Sequence, residues 1–360
     1  MRAGGARGLP ERGLTDSDAV ESQGLPELSV GIDVSPLVQT TAGTARHVES
    51  LTRALEEEGG VTLRRYSFGG PGRAAAAARD VGWYLAGLPR RARRDGVDVL
   101  HCPTFRAPFH SPVPLVVTFH DLAVLRHPYV FNRWSRTYSR RALGRVAQSA
   151  DAIIAVSEFT RGEVVELLGV PEDRVRVVPN GVGPPFTARG PAAEGDYVLA
   201  VATLEPRKNL KRLVEGFQLA DLGSGCELRV TGLSGWGDVR VSGRGVRWLG
   251  EVPAEELARL YRGARCVAYV SLYEGFGLPV LEAMACGAPV VTSTAPALVE
   301  VGGDVAVAVD GLDAGAIAGG LEEAAARRAE LGPRGIERAR RFGWDEAARA
   351  TISVYRSVAR

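Results

Sequence analysis

Residues 273–291, Y-E-G-F-G-L-P-V-L-E-A-M-A-C-G-A-P-V-V, set two carboxylates, Glu274 and Glu282, around a glycine-proline run. The apolar "CVAYVS" before it (266–271) reads as a strand, and "YEGFG" as the turn leaving that strand's carboxyl end. A helix starts near Leu278, with Pro279 in its first turn, where a missing N–H costs nothing. Gly275 and Gly277 let backbone and ligand approach closely, and the free N–H groups of the first turn form an anion site. Helical side chains lean back toward the N-terminus. Glu282, one turn in, therefore reaches a group just beyond a bound phosphate, while Glu274 in the loop points into a cleft. A lone glutamate here would read as a cap or a solvated side chain. The whole constellation suits a sugar nucleotide.

Such a site needs a scaffold, and two series of alternating strands and helices supply it. The first opens with "LSVGIDV" (28–34) and a helix "TARHVESLTRALEEEGG", with further strands at 61–67, 98–102, 114–120, 152–156 and 175–179. Helical patterns fall at 74–94, 131–147 and 158–168. The second opens with "YVLAVATL" (197–204), a helix from about 208, "CELRVTG", "VRWLG", "AEELARLYRGA" and "CVAYVS". It continues with the helix from Leu278, "APVVTS", "VAVAV" and a long helix from about 312. Short apolar runs alternating with amphipathic helices mean βαβ units and parallel sheets. The expected fold class is therefore α/β, with two Rossmann-like domains facing a cleft, and ligands at the carboxyl ends of the strands. Residues 28–185 form the first domain and 186–343 the second, joined by the Gly/Pro-rich bridge at 180–196. A C-terminal helix at 344–360 is expected to pack back on the first domain.

Composition narrows the function. The net charge of +2 over 360 residues gives no reason to expect nucleic acid. No apolar run approaches the ~18 residues of a membrane span. Residues 1–27 carry no hydrophobic core of a signal peptide and read as a disordered leader. Cys102, Cys226, Cys266 and Cys286 are widely spaced, which suits reduced packing residues of a cytoplasmic protein. Of 44 basic residues only Lys208 and Lys211 are lysine. A compact ammonium kept at 208 in so arginine-rich a chain suggests point-charge contact with phosphate; Lys211, one turn on, reads as exposed. The only D-x-D, Asp16-Ser17-Asp18, lies in the leader and cannot organise a metal site.

Glu274-GFGLPVL-Glu282 resembles the E-x7-E signature of the family-4 retaining glycosyltransferases, which have the GT-B fold. The resemblance runs over about 28–345 and includes "GTARH" (43–47), similar to a G-x-G-R-Y loop, "VLHCP" (99–103), "TFHDL" (118–122) and "ADAIIAVSEFT" (150–160). "VVPNGV" (177–182), "TLEPRKN" (203–209) and "LVEVGGDVAVAVD" (298–310) follow in order. It implies that Glu282 binds the ribose hydroxyls of the donor, and that Glu274 contacts the donor sugar. The diphosphate would rest on the Gly275-Phe276-Gly277-Leu278 backbone, with Arg207 and Lys208 neutralising it as it leaves. His120 would lie beside the donor sugar, and Gly43 would let the first helix approach the phosphates. His101, also at a strand end, reads equally well as functional or structural. Ala45 replaces the second glycine of the loop, His47 its aromatic, Val299 a usual proline and Ala202 a usual glycine.

The family's retaining members imply front-face displacement, in which the leaving phosphate accepts the acceptor's proton, so neither a separate base nor a metal or other cofactor is expected. GDP-mannose is the first choice of donor, because "HDLAVLRHPYVFNRWSRTYSRRAL" resembles mannosyltransferase-like members, and a UDP-hexose is the second. The acceptor is a hydroxyl of a glycan, a lipid-linked molecule or a small molecule. A sugar-nucleotide 2-epimerase of the same fold and a non-catalytic sugar-nucleotide-binding protein are the competing readings. Finally, residues 28–185 hold 20 arginines against 15 acids. The excess in "RRARR" (90–94) and in Arg133, Arg136, Arg140 and Arg141 is either a solvated face or a peripheral contact with an anionic membrane.

Overall fold

The computed structural model describes residues 26–39, 43–70, 78–128, 133–235 and 241–359. The leader, with its D-x-D, lies outside the described residues apart from its last two, as do the side chains of Arg133, Arg136 and Arg140.

The first unit runs β1 (Leu28–Asp33), α1 (Gly43–Glu58), β2 (Val61–Tyr66), α2 (Ala78–Gly87, of wider π pitch), α3 (Leu88–Arg94), β3 (Val99–Cys102) and β4 (Leu115–Phe119). Then come α4 (Ala123–Arg126), α5 (Arg133–Ser149), β5 (Ala152–Ala155), α6 (Glu158–Leu168) and β6 (Val175–Val177). Its six strands are parallel in the order β2-β1-β3-β4-β5-β6. β3, β4 and β5 are buried along their whole length and apolar but for His101 and Thr118, as strands covered by helices on each side are. β2 carries exposed polar positions and takes the edge.

The second unit runs β7 (Tyr197–Val201), α7 (Leu210–Leu219), β8 (Glu227–Thr231), β9 (Val246–Gly250), α8 (Ala254–Gly263), β10 (Val267–Tyr269) and α9 (Leu278–Ala285). It ends with β11 (Val290–Ser293), α10 (Pro296–Gly302), β12 (Val307–Val309), α11 (Ala314–Ala326) and α12 (Arg328–Ala339). Its sheet order is β12-β11-β10-β7-β8-β9. Two expected elements differ. The helix expected from about 208 starts at Leu210, because Asn209 takes the left-handed conformation (φ 59°) and sends its Nδ2 to the Val270 and Gly311 carbonyls. The long helix expected from about 312 is two helices that break between Ala326 and Arg328.

The chain passes between the units twice, side by side. Val182 N donates to the Phe342 carbonyl at 2.9 Å, and Val182 pairs with Gly343. Beyond that crossing α13 (Trp344–Val358) packs its buried Ala348, Ile352 and Tyr355 into the first unit's core, with Val48, Leu51 and Ile154.

Candidate active site

A cavity of about 480 Å³ opens between the units at the carboxyl ends of both sheets. Two helix N-termini reach it, α1 at Gly43 and α9 at Leu278, and a Cβ on Gly43 would touch the Leu278 side chain at 3.7 Å. Gly277 caps α9 at φ 114°, a conformation a side chain resists, and a Cβ there would press on Leu298 at 2.7 Å. The positive ends of two macrodipoles thus share one space, which favours an anion.

Glu274, expected in the cleft, lies there under a tight polar cage. Its Oε1 accepts from Lys208 Nζ at 2.6 Å and from Tyr269 OH at 3.0 Å, and its Oε2 accepts from Arg207 Nη1 at 3.0 Å. Arg207 also donates through Nε to Glu205, at 2.8 Å, and Lys208 donates to Tyr269 OH, at 2.8 Å. Burial would raise the Glu274 carboxyl, but Lys208 and Arg207 overcome it and hold the group at about 2. Burial also presses on Arg207, yet Glu274, Asp121 and Glu205 keep it firmly charged. The two cations expected to face a diphosphate are therefore balanced by two carboxylates, Glu274 and Glu205. The ammonium has three N–H groups and spends two on Glu274 and Tyr269.

Glu282 takes a different position from a group open to the cavity. It is 4% exposed; its Oε1 accepts from Arg46 Nη1 at 2.7 Å and its Oε2 from Tyr261 OH at 3.0 Å. Arg46, on the first turn of α1, lines the cavity in front of it. Burial raises the Glu282 carboxyl, and Arg46 only partly offsets this.

His120 follows β4 and lines the cavity, with Nε2 bonded to the Pro103 carbonyl at 2.9 Å. Its ring stands edge-on to His47, 4.5 Å between centroids, and His47 Nδ1 meets Asn180 Oδ1 at 2.7 Å. Burial pushes both imidazoles below the ordinary value, so both are neutral near pH 7. His101 is structural: it is fully buried and clamped between Tyr355 OH (2.7 Å) and Thr118 Oγ1 (2.9 Å). Lys211 is exposed.

The "YEGFG" turn does more than flank the ligand space. The Gly275 carbonyl accepts from Ser157 Oγ at 2.6 Å and Thr160 Oγ1 at 3.1 Å, both on the first unit. Tyr273 OH donates to Glu163 and accepts from Leu122 N at 3.0 Å. From α10, Glu300 accepts from Glu158 N and Phe159 N at 2.9 and 3.2 Å, capping α6 across the seam.

Gly43, His120, Arg207, Lys208, Glu274, Gly275, Phe276, Gly277 and Leu278 thus share one cavity wall, with Glu282 just behind it. Sequence reasoning missed Arg46, Glu205, Tyr261, Tyr269 and Asn180. The signal for Arg46 was present, since it stands at the arginine of the G-x-G-R-Y-like loop. The two tyrosines sit in a strand and a helix whose apolar patterns make them read as core. Among the described residues no group of three or more His, Cys, Asp and Glu could hold a metal ion, and no helix is long and apolar enough to cross a membrane.

Residues 41–184 match the family Glycosyltransferase Family 4, and residues 187–342 match Glycosyl transferases group 1. The chain is 34% identical over 296 residues to the O-antigen chain mannosyltransferase B of Escherichia coli, covering 74% of this chain and 77% of that one. It is 31% identical over 294 residues to a D-inositol 3-phosphate glycosyltransferase of Kineococcus radiotolerans, covering 68% and 66%. Among solved structures, the sucrose-phosphate synthase of Thermosynechococcus elongatus superposes with a TM-score of 0.74 at 20% identity, over 92% of this chain and 98% of that one.

Proposed function

The chain belongs to the family-4 glycosyltransferases of GT-B fold, and from that premise we propose that it moves mannose from GDP-mannose to a hydroxyl acceptor with retention of configuration. It is a hexose-transferring glycosyltransferase; the donor, the acceptor and the stereochemistry are our reading. The observation that carries this reading is the junction of two helix N-termini with Arg207, Lys208 and Glu274 in one cavity.

Breaking a glycosyl–phosphate bond builds negative charge on the departing diphosphate and positive charge on the sugar. Fixed dipoles and cations aimed at the diphosphate stabilise that state without reorganising. Glu274, kept ionised by its two cations, faces the same space and suits the sugar's hydroxyls and its growing positive charge. Neutral His120 gives its Nε2–H to the Pro103 carbonyl, which leaves Nδ1 as a hydrogen-bond acceptor beside the sugar with no added charge. The mannose assignment is supported by the identity with an O-antigen chain mannosyltransferase. For the acceptor, the net +5 of residues 28–185 (20 arginines less 15 acids) supports a lipid-linked molecule at an anionic membrane.

A thermal-shift series with GDP, GDP-mannose, UDP and UDP-glucose tests the donor, since a ligand at about 100 times its Kd adds roughly 2.7 kcal/mol. GDP and GDP-mannose should stabilise the protein most. Preference for the uridine pair would replace mannose by a UDP-hexose. Nucleotide release that depends on an acceptor would support transfer; formation of an epimer would support the 2-epimerase.

A further inference from the structure

The Arg46–Glu282 contact is, among the described residues, the one ion pair that spans the cleft. Arg46 belongs to α1 of the first unit and Glu282 to α9 of the second. We propose that Arg46 is a positioning residue for donor binding, which reaches across the cleft to hold Glu282 as a carboxylate only while the two units are together. This rests on the reading above that Glu282 receives the ribose hydroxyls of the donor.

Among the described residues the surroundings of Glu282 leave it no other counter-charge. From α8 it meets Tyr261 OH, on its own helix Cys286 lies one turn away, and Tyr269 on β10 stands near the arginine. Burial keeps both tyrosines and the thiol neutral, so Arg46 is the only cation facing the carboxylate among the described residues. A carboxylate taken out of water without a partner takes up a proton instead. The protonated group can offer one O–H, but it no longer grips two ribose hydroxyls as an ionised acceptor does. When the cleft opens, Arg46 leaves with the first unit and Glu282 loses its charge partner. Charging of the hydroxyl-binding group and closure of the cleft are then one event, and a donor that needs the first favours the second.

Arg46 is suited to this duty. Its side chain is 32% exposed, against 5% for that of Glu282, so substituting it spares the core. The test is titration calorimetry with GDP-mannose and with UDP-glucose, neither of which titrates between pH 6 and 8.5. The proteins are the unaltered enzyme, Arg46→Lys, Arg46→Met, Glu282→Gln and the double variant Arg46→Met/Glu282→Gln. For whichever donor binds, the unaltered enzyme and Arg46→Lys should lose less affinity than Arg46→Met as pH falls across that range. Arg46→Met should bind about tenfold or more weakly at pH 6, like Glu282→Gln, on the scale of a lost hydrogen bond to a charged group. Its deficit should shrink as pH rises and Glu282 ionises. The double variant should be no weaker than Glu282→Gln alone. Losses that multiply in the double variant, or an Arg46→Met profile as flat as that of the unaltered enzyme, would overturn the inference. Unchanged binding by Glu282→Gln, or no binding of either donor by the unaltered enzyme, would instead overturn the donor reading on which it rests.

Discussion

The carbonyl oxygen of His120 lies 1.7 Å from where a Cβ on Gly275 would stand. The two residues belong to opposite units, so at this glycine the halves come into close backbone contact. Gly275→Ala must push them apart. Turnover should fall about a hundredfold, the usual cost of roughly 1 Å of misplacement at a reacting centre. Each unit should remain folded, and small-angle scattering should report a larger radius of gyration. Near-normal turnover would show that the seam tolerates opening.

Glu274→Ala and Lys208→Ala should each cut turnover by about a hundredfold or more, the scale for loss of one charge-stabilising group. Because the two residues are bonded to each other at 2.6 Å, their effects should not multiply. Steady-state kinetics on both single variants and the double variant checks this. Full additivity would mean that they serve separate ligands.

Acid should destabilise the fold through its buried imidazoles. The folded value of His101 is pushed down to about 3, and those of His47 and His120 also lie below the ordinary 6.5, in each case by burial. Below pH 6.5 the unfolded chain binds protons that the folded one refuses, so stability is lost as pH falls. Each histidine contributes a slope of up to ~1.4 kcal/mol per pH unit. Below about 4.5 Glu274 adds to the loss, because the unfolded chain protonates it while the folded one holds it ionised down to about 2. Melting temperature followed from pH 8 to 5.5 should decline, and His101→Gln should flatten part of the slope. A level profile would contradict the neutral state of these rings.

Activity should persist in EDTA, and the product should keep the donor's anomeric configuration. Loss of activity restored by magnesium or manganese would refute the first expectation. An inverted anomer in the NMR spectrum would refute the second.

Anionic liposomes should bind the protein at low salt, and neutral ones should not. Each arginine near such a surface contributes about 1 kcal/mol, screened within a Debye length. Co-sedimentation should fail in high salt and in the Arg133/Arg136/Arg140→Glu variant. No binding at low salt would make a soluble acceptor the better account.

Much of this architecture was legible in the chain because parallel sheets need continuous apolar strands, and those stand out from amphipathic helices. The start of α9 at Leu278 was readable from Gly277 and Pro279 alone. Partnerships were not. Nothing local in "YEGFG" says that Gly275 must receive the His120 backbone, because that requirement comes from a residue 155 positions away. Glu282 could be placed one turn into a helix, but its arginine lies 236 residues upstream. His101 and His120 occupy similar strand ends, and only packing against Tyr355 makes one of them structural.

The paired crossing at Val182 and Gly343 has a mechanical consequence. A Cβ on Gly181 would strike the Trp344 backbone nitrogen at 2.5 Å, so the two connecting segments lie flush against each other. A single tether would let one half swivel, twist and drift. Two tethers held side by side act as a strap hinge, which bends readily about one axis and resists torsion. Any opening of the cleft would follow that one axis, and closing along it would return Gly275 to His120 and Arg46 to Glu282 in register.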